Sequence, residues 1–361
     1  MVLNRRQFIK VGGECAIFVA SGSISFGKPK QEVPSYLKGY EELYAREPRQ
    51  AALTWFKEAE FGLFLHYGLY SLLKGHYKGK HSKPAEWALF RTDITLHEYE
   101  KLSERFRAEK FDADFITDMA LDAGMKYINI TTRHHDSFCL FDSKYTEFKT
   151  TNTPAKRDLV GELAEQCRKK SLGLCLYYSH GRDWRHPHAP GSMVPAKNID
   201  YQKYVEFMSD QITELLTNYG PIAAIWLDGF GAARKLDEST LKTQELYNHI
   251  HGLQPQVLVS YKKGLLGTED FMAPERHWKG TPTKPLEICN TMQGYSWGYD
   301  SADEGRHRGP DEVMEMLMRA RILPANLLLN TGPLPDGSIH PDDVRTLKEV
   351  GQRLRKDKSQ Q

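Results

Sequence analysis

Two kinds of side chain in this sequence stand where they could do chemistry on a polar substrate. A lone carboxylate, Asp228, ends the apolar run Ile222 to Leu227, and imidazoles stand at the ends of two other apolar runs, at His66 and at the adjacent pair His134 and His135. The carboxylate could act as a nucleophile, as a general base, or only as a cap on the turn opened by Gly229, and the run alone leaves the chemical and the capping readings equal. A neutral imidazole donates from one nitrogen and accepts at the other, which suits a ligand rich in hydroxyls. Adjacent histidines on an extended segment point to opposite sides, so the pair is not expected to share one ion. A binuclear metal hydrolase would also want a His-x-His pair on its first strand, and none is present. No metal and no organic cofactor are expected.

The elements that must position these groups alternate. Ile222 to Phe230, bounded by Tyr219-Gly220-Pro221 and Gly229, reads as a buried parallel strand, and Phe61 to Gly68, Tyr127 to Thr132, Leu172 to Tyr178, Val257 to Tyr261 and Ala325 to Asn330 read likewise. Between them lie helical spacings at Ala113 to Ala123, Asp158 to Lys170, Asn198 to Tyr219, Ser239 to His251 and Pro310 to Leu323, with Pro341 to Lys356 closing the chain. The expected fold is α/β, a (β/α)8-like TIM barrel, regular or irregular, without a C-terminal β-sandwich. Polar residues then gather at successive strand ends: His66, His134 and His135, Tyr177-Tyr178-Ser179, Asp228 and Asn330. Several strands ending this way argue for one shared cleft. Tyr36 to Phe56, broken at Pro48, is expected to pack on the outside of the core. The basic loop from Lys74 to Lys83 stands where a barrel places substrate contacts, although a solvated loop is the favoured reading.

Composition sets the outer limits. With 361 residues, 40% of them hydrophobic and 27% charged, the chain can bury one large catalytic domain, expected over residues 50–361 after a linker and helix at 28–49. Forty-nine basic residues against 47 acidic ones give a net charge of +2, which points to neither nucleic acid nor a membrane surface as partner. Residues 1–27 read as a twin-arginine-type signal: Arg5-Arg6 precedes an apolar run from Val11 to about Ile24 that is too short to span a bilayer. Export to the periplasm or beyond is expected. Cys139, Cys167, Cys175 and Cys289 follow the signal without a C-x-x-C pair and read as small buried thiols.

The ordered motifs carry a resemblance. Phe61 to Ser71, Glu86-Trp87, Tyr127 to Asp142 with its Arg-His-His-Asp, Lys156 to Val160, Leu176 to Ser179, Ile225-Trp226-Leu227-Asp228-Gly229, Tyr295 to Tyr299 and Asn326 to Pro333 resemble the catalytic domain of the α-L-fucosidases, glycoside hydrolase family 29. The matches run in order from about residue 50 to 340. The resemblance implies a retaining exo-glycosidase that removes a terminal α-L-fucosyl unit from a glycan, with Asp228 as nucleophile. It implies that His66, Glu86, Trp87, His134, His135, Tyr178 and Trp226 hold the sugar, with Tyr178 preferred over Tyr177, since neighbours on a strand face opposite ways. The acid/base is open among three glutamates: Glu275 first, then Glu269, then Glu287. Lys262 stands near the expected sugar-contacting arginine and could replace its charge but not its two-pronged geometry. A related L-sugar, such as an α-L-galactoside or a sulfated fucoside, and a catalytically silent carbohydrate-binding barrel are the alternatives.

Overall fold

The computed structural model describes residues 32–359, so the expected signal at 1–27 lies outside the described residues. In chain order the strands are β1 (Phe61–Leu65), β2 (His76–Tyr77), β3 (Lys80–His81), β4 (Tyr127–Arg133), β5 (Gly173–Ser179), β6 (Ala224–Asp228), β7 (Leu258–Tyr261), β8 (Leu286–Thr291) and β9 (Ala325–Thr331). β2 and β3 form a separate antiparallel hairpin, while the other seven pair in the order β7-β6-β5-β4-β1-β9-β8, every neighbour parallel. Parallel neighbours need crossovers, and helices such as Leu159–Lys170 and Tyr201–Asn218 supply them, entered through side-chain caps from Asp158 and Asp200.

One irregular segment joins the two edges. Phe271 bridges to Ser260 beside β7, whereas Met272 and Glu275 bridge to Leu286 and Cys289 of β8. Met272 N donates to Pro285 O (3.0 Å) and Cys289 N to Pro274 O (3.1 Å). Residues 271–275 therefore take the place of an eighth strand and close the ring, as an irregular barrel requires. After the barrel, the last described element is the helix Pro341–Ser359, and among the described residues no β-sandwich follows it. No described helix is long and apolar enough to cross a membrane.

Both faces of the sheet are buried, and the residue alternation separates two cores. Leu63, Ile128, Ile130, Leu174, Leu176, Ile225 and Leu227 pack outward against the helices. Phe64, Tyr127, Cys175, Tyr177, Trp226, Leu258, Cys289 and Leu328 fill the interior. The interior also contains Ala51, Ala52, Trp55, Phe56 and Ala59 of the helix Pro48–Ala59. That helix, expected on the outside of the core, instead packs its apolar stripe on the barrel's inner residues. Trp55 meets Tyr127 edge to face at 6.2 Å, and Phe56 lies 4.4 Å from Phe271. Gly173 makes room for it, since a Cβ there would stand 2.4 Å from the Trp55 ring. An open barrel end lined by aromatic residues would expose apolar surface, and the helix removes that surface from water. Pro48 begins this helix after the short one at Glu41–Arg46, as the sequence predicts.

Candidate active site

The strand ends meet in one cleft whose walls include His66, Glu86, Trp87, His134, His135, Tyr177, Trp226, Asp228, Lys262 and Glu275. Asp228 ends β6, paired in register with Ser179 of β5, so its side chain points inward one step above Trp226. Tyr177 Oη donates to its Oδ2 (2.8 Å), the Gly229 amide donates to its Oδ1 (2.5 Å), and the Lys262 ammonium lies 3.0 Å from Oδ1. Gly229, at φ 92°, turns the chain directly after the carboxylate, and a Cβ there would strike the backbone of Gly181 at 2.5 Å. Burial alone would raise the Asp228 pKa, but Lys262, His135, the Gly229 amide and Tyr177 outweigh it and hold the carboxyl well below its ordinary range. The group is an anion at any working pH.

Lys262 follows β7 and carries a second contact: its Nζ is 2.7 Å from Glu275 Oε1. One ammonium thus joins two carboxylates. Burial would lower its pKa, yet Asp228 and Glu275 overcome that and keep it fully charged. The two N–O contacts laid end to end bound the gap between the nearest carboxyl oxygens. That bound is close to the roughly 5 to 5.5 Å of retaining glycosidases and well short of the roughly 6.5 to 9.5 Å of inverting ones.

The other two candidate acids lie elsewhere. Glu269 is spent on its own loop: it accepts the amides of Leu265 and Leu266 at 2.8 Å, that of Gly267 at 2.9 Å, and the Tyr247 hydroxyl at 2.9 Å. Glu287 is sealed beneath the cleft, accepting from Tyr127 Oη (2.6 Å) and Trp226 Nε1 (3.0 Å). Neither lines the cleft. Of the three glutamates, only Glu275 does.

All three histidines reach the cleft, and two have their tautomers set by neighbours. Asn330 Nδ2 donates to Trp297 O (2.8 Å), which leaves Asn330 Oδ1 to accept from His66 Nδ1 (2.6 Å). Ser179 Oγ donates to Arg182 O (2.6 Å) and so accepts from His135 Nδ1 (2.6 Å). Each ring therefore keeps an unprotonated Nε2, and that of His135 stands 3.9 Å from Asp228 Oδ2. Burial is the main cause that lowers both pKa values to about 3, and it lowers that of His134 as well. His134 Nδ1 is buried without a partner among the described residues. Contrary to strict alternation, His134 and His135 face the same cleft, their ring centroids 4.2 Å apart. The register of β4 against β5 shifts between Thr131 and Arg133, and the pair follows where the strand has ended.

Tyr178 does not reach the site. It faces the outer core, where its hydroxyl donates to Gln211 Oε1 (2.8 Å) and the Arg133 guanidinium covers its ring at 4.3 Å. Tyr177 is the inward tyrosine, stacked on Trp226 at 5.5 Å. The alternation carried this signal: Leu174 and Leu176, which share the parity of Tyr178, are the wholly apolar set that faces the helices.

Three further cleft residues did not stand out as site residues in the sequence. Trp297 packs on His66 at 5.2 Å, and its amide and that of Gly298 donate to Glu86 Oε2 at 2.9 and 3.0 Å. Phe64 lies beneath His66 at 4.4 Å. Arg276, at φ 67°, donates to Tyr295 O (2.7 Å) with its guanidinium over the Tyr295 ring. Burial, with Glu275 adding to it, pushes the Glu86 carboxyl up to about 7 despite those two amides. The expected loop from Lys74 contributes little: Lys78 and Lys80 pair with Glu98 and Asp93. All four described cysteines are buried and free, as expected of small core thiols.

A parallel barrel with a buried anion, a second carboxyl nearby, neutral imidazoles and aromatic walls at the C-terminal strand ends defines a glycoside hydrolase. The comparisons narrow the class. The family model described as Alpha-L-fucosidase matches residues 29–359, and the chain belongs to that family. Over 322 residues it is 28% identical to the tissue α-L-fucosidase of Mus musculus, covering 83% of this chain and 69% of that one. The structure of α-L-fucosidase AlfC from Lactobacillus casei in complex with α-L-fucose product is similar at a TM-score of 0.77 and 30% identity, covering 86% of this chain and 99% of that chain. The α-L-fucosidase isoenzyme 1 of Paenibacillus thiaminolyticus is similar at 0.76 and 33%, covering 85% and 76%.

Proposed function

We propose that this α-L-fucosidase is exo-acting and retaining, with Asp228 as nucleophile and Glu275 as acid/base. In the first step an Asp228 oxygen bonds to the anomeric carbon while the C–O bond to the leaving group breaks, and the leaving oxygen takes a proton from the acid. In the second step water attacks the glycosyl-enzyme, gives its proton to the same group, and releases fucose with its configuration kept. The observation that carries this reading is the single Lys262 ammonium shared by Asp228 and Glu275, which favours the anion at Asp228 and brings the two carboxyls close together. His66 and His135 accept from sugar hydroxyls at their unprotonated Nε2, His134 adds a third neutral imidazole, and the Trp226, Trp297 and Tyr177 rings cover the apolar face of a deoxy sugar.

A second reading gives the proton to Glu86, and its pKa near 7 favours it, because a general acid must hold its proton at working pH. Hydrolysis of an aryl α-L-fucoside tests both. Asp228→Ala should abolish turnover, and added azide should rescue the variant that lacks the acid, Glu275→Ala on the first reading and Glu86→Ala on the second. Wild type inert on aryl fucoside and aryl α-L-galactoside alike would sink the enzymatic reading. The paired Arg5 and Arg6 support export of this activity, and fractionation of cells making the full chain, with and without both arginines changed to lysine, checks it.

A further inference from the structure

The cleft does not end at the sugar pocket. A second cavity shares Trp87, His135, Asp228, Lys262 and Glu275 with it and extends outward past Phe230 to Arg182, Arg234 and Lys263. On the glycosidase reading the shared carboxyls flank the bond to be broken, which puts the outer cavity on the leaving-group side.

Its charge is one-sided. Four cations line it against two carboxylates: Lys262 pairs with both Asp228 and Glu275, whereas none of the ion pairs among the described residues involves Arg182, Arg234 or Lys263. Arg182 is the firmest of the three. Its guanidinium lies over the Trp87 ring at 4.8 Å, its Nη2 is 3.9 Å from where a Cβ on Gly231 would stand, and its Nε is buried without a partner among the described residues. The glycines at 181 and 229 let the turns after β5 and β6 abut, with Gly181 N donating to Asp228 O at 2.8 Å, and so bring Arg182 beside the Arg234 segment. Arg234 in turn lies 5.7 Å over Phe230. Three like charges gathered around one partly apolar hollow repel each other until an anion enters.

We propose that this outer cavity is a leaving-group subsite for a sugar carrying a carboxylate or a sulfate, so that the enzyme prefers acidic fucosylated glycans. The inference rests on the glycosidase reading above. Phe230 and Trp87 offer faces to the ring, and Arg182, Arg234 and Lys263 surround its anionic group.

The test compares kcat/KM at low salt on α-L-fucosyl N-acetylglucosamine, on its 6-sulfated form and on an α-L-fucosyl glucuronate, for wild type and for the Arg234→Gln/Lys263→Gln double variant. An aryl fucoside is the control. Wild type should favour at least one anionic substrate by on the order of five- to tenfold over the neutral one, as two or three exposed ion pairs allow. The preference should shrink towards unity in the double variant and in about 0.5 M salt, with aryl fucoside turnover and melting temperature unchanged. Preference for the sulfated substrate alone assigns sulfate, for the glucuronate alone assigns carboxylate, and for both assigns charge. Equal kcat/KM on all three in wild type, or a preference that survives in the double variant, overturns the subsite while leaving the glycosidase reading intact. Failure on the aryl fucoside itself strikes that reading instead.

Discussion

Lys262 Nζ lies 3.0 Å from Asp228 Oδ1, and this contact favours the charged form of the proposed nucleophile. Asp228 is 6% exposed, and burial by itself would favour its protonated, unreactive form. The lysine is held there at φ 37°, a left-handed conformation that costs roughly 1 kcal/mol in a residue with a Cβ.

Lys262→Met should therefore move the acidic limb of kcat/KM to higher pH by about 1 to 3 units, the scale of a neighbouring opposite charge, and lower the plateau on the order of a hundredfold. The sign follows from the depressed pKa of Asp228: the anion survives to low pH with the lysine present and is lost earlier without it. A pH profile on an aryl fucoside measures this. An unmoved acidic limb would show that Lys262 does not govern the nucleophile.

Tyr177→Phe keeps the stack on Trp226 and deletes only the 2.8 Å bond to Asp228 Oδ2. Hydrogen bonds to charged groups contribute about 1.5 to 3 kcal/mol, so kcat/KM should fall about 10- to 100-fold. Tyr178→Phe should leave kinetics unchanged, because its hydroxyl bonds Gln211 in the outer core, and its cost should appear in the melting temperature instead. Parallel assays of the two variants compare neighbours in sequence that face opposite sides of the sheet.

The contrast between those tyrosines shows what was legible in the sequence. Asp228, His66, His134 and His135 were readable because each ends a strongly apolar run, whereas Glu86, Trp87 and Trp226 were implied by the resemblance of their motifs, and all of them meet in one cleft. The parity of β5 was harder to read, because both of its faces are buried and no polar side marks the outside. β8 escaped notice because Glu287, Asn290 and Thr291 interrupt its apolar pattern, although Glu287 is satisfied inside the barrel by Tyr127 and Trp226. The closing segment 271–275 makes isolated bridges and no regular ladder, so no periodicity announces it. The plug helix has an ordinary amphipathic pattern, and nothing local says that its stripe meets the barrel interior.

Glu86 gives a prediction on the alkaline side. Its carboxyl, raised by burial to about 7, holds a proton below that pH and loses it above. If the neutral form is the working form, kcat/KM declines as pH rises through about 7, and Glu86→Gln, which is neutral throughout, removes that limb. A Gln variant that retains activity with a flat alkaline side makes Glu86 a hydrogen-bond donor to the sugar. One that loses about 10²- to 10⁴-fold and recovers with azide makes it the acid in place of Glu275.

Glu287 ties the barrel interior to the pH dependence of stability. Burial lifts its pKa to about 7 although Tyr127 and Trp226 both donate to it. In the unfolded chain a glutamate loses its proton near 4.3. Between these two values the unfolded state has released a proton that the folded state keeps, so stability falls as pH rises across that window. Below about 4.3 the contribution is fully present, and above about 7 both states are ionised and the slope vanishes. Glu287→Gln can still accept from Trp226 Nε1 through its carbonyl, while its amide donates to a reversed Tyr127 hydroxyl. Urea unfolding at pH 5, 6, 7 and 8, read against wild type, should show a shallower decline in the variant. Identical slopes for the two proteins would mean that Glu287 is already ionised in the fold, and that the barrel interior carries a charge which its two donors suffice to hold.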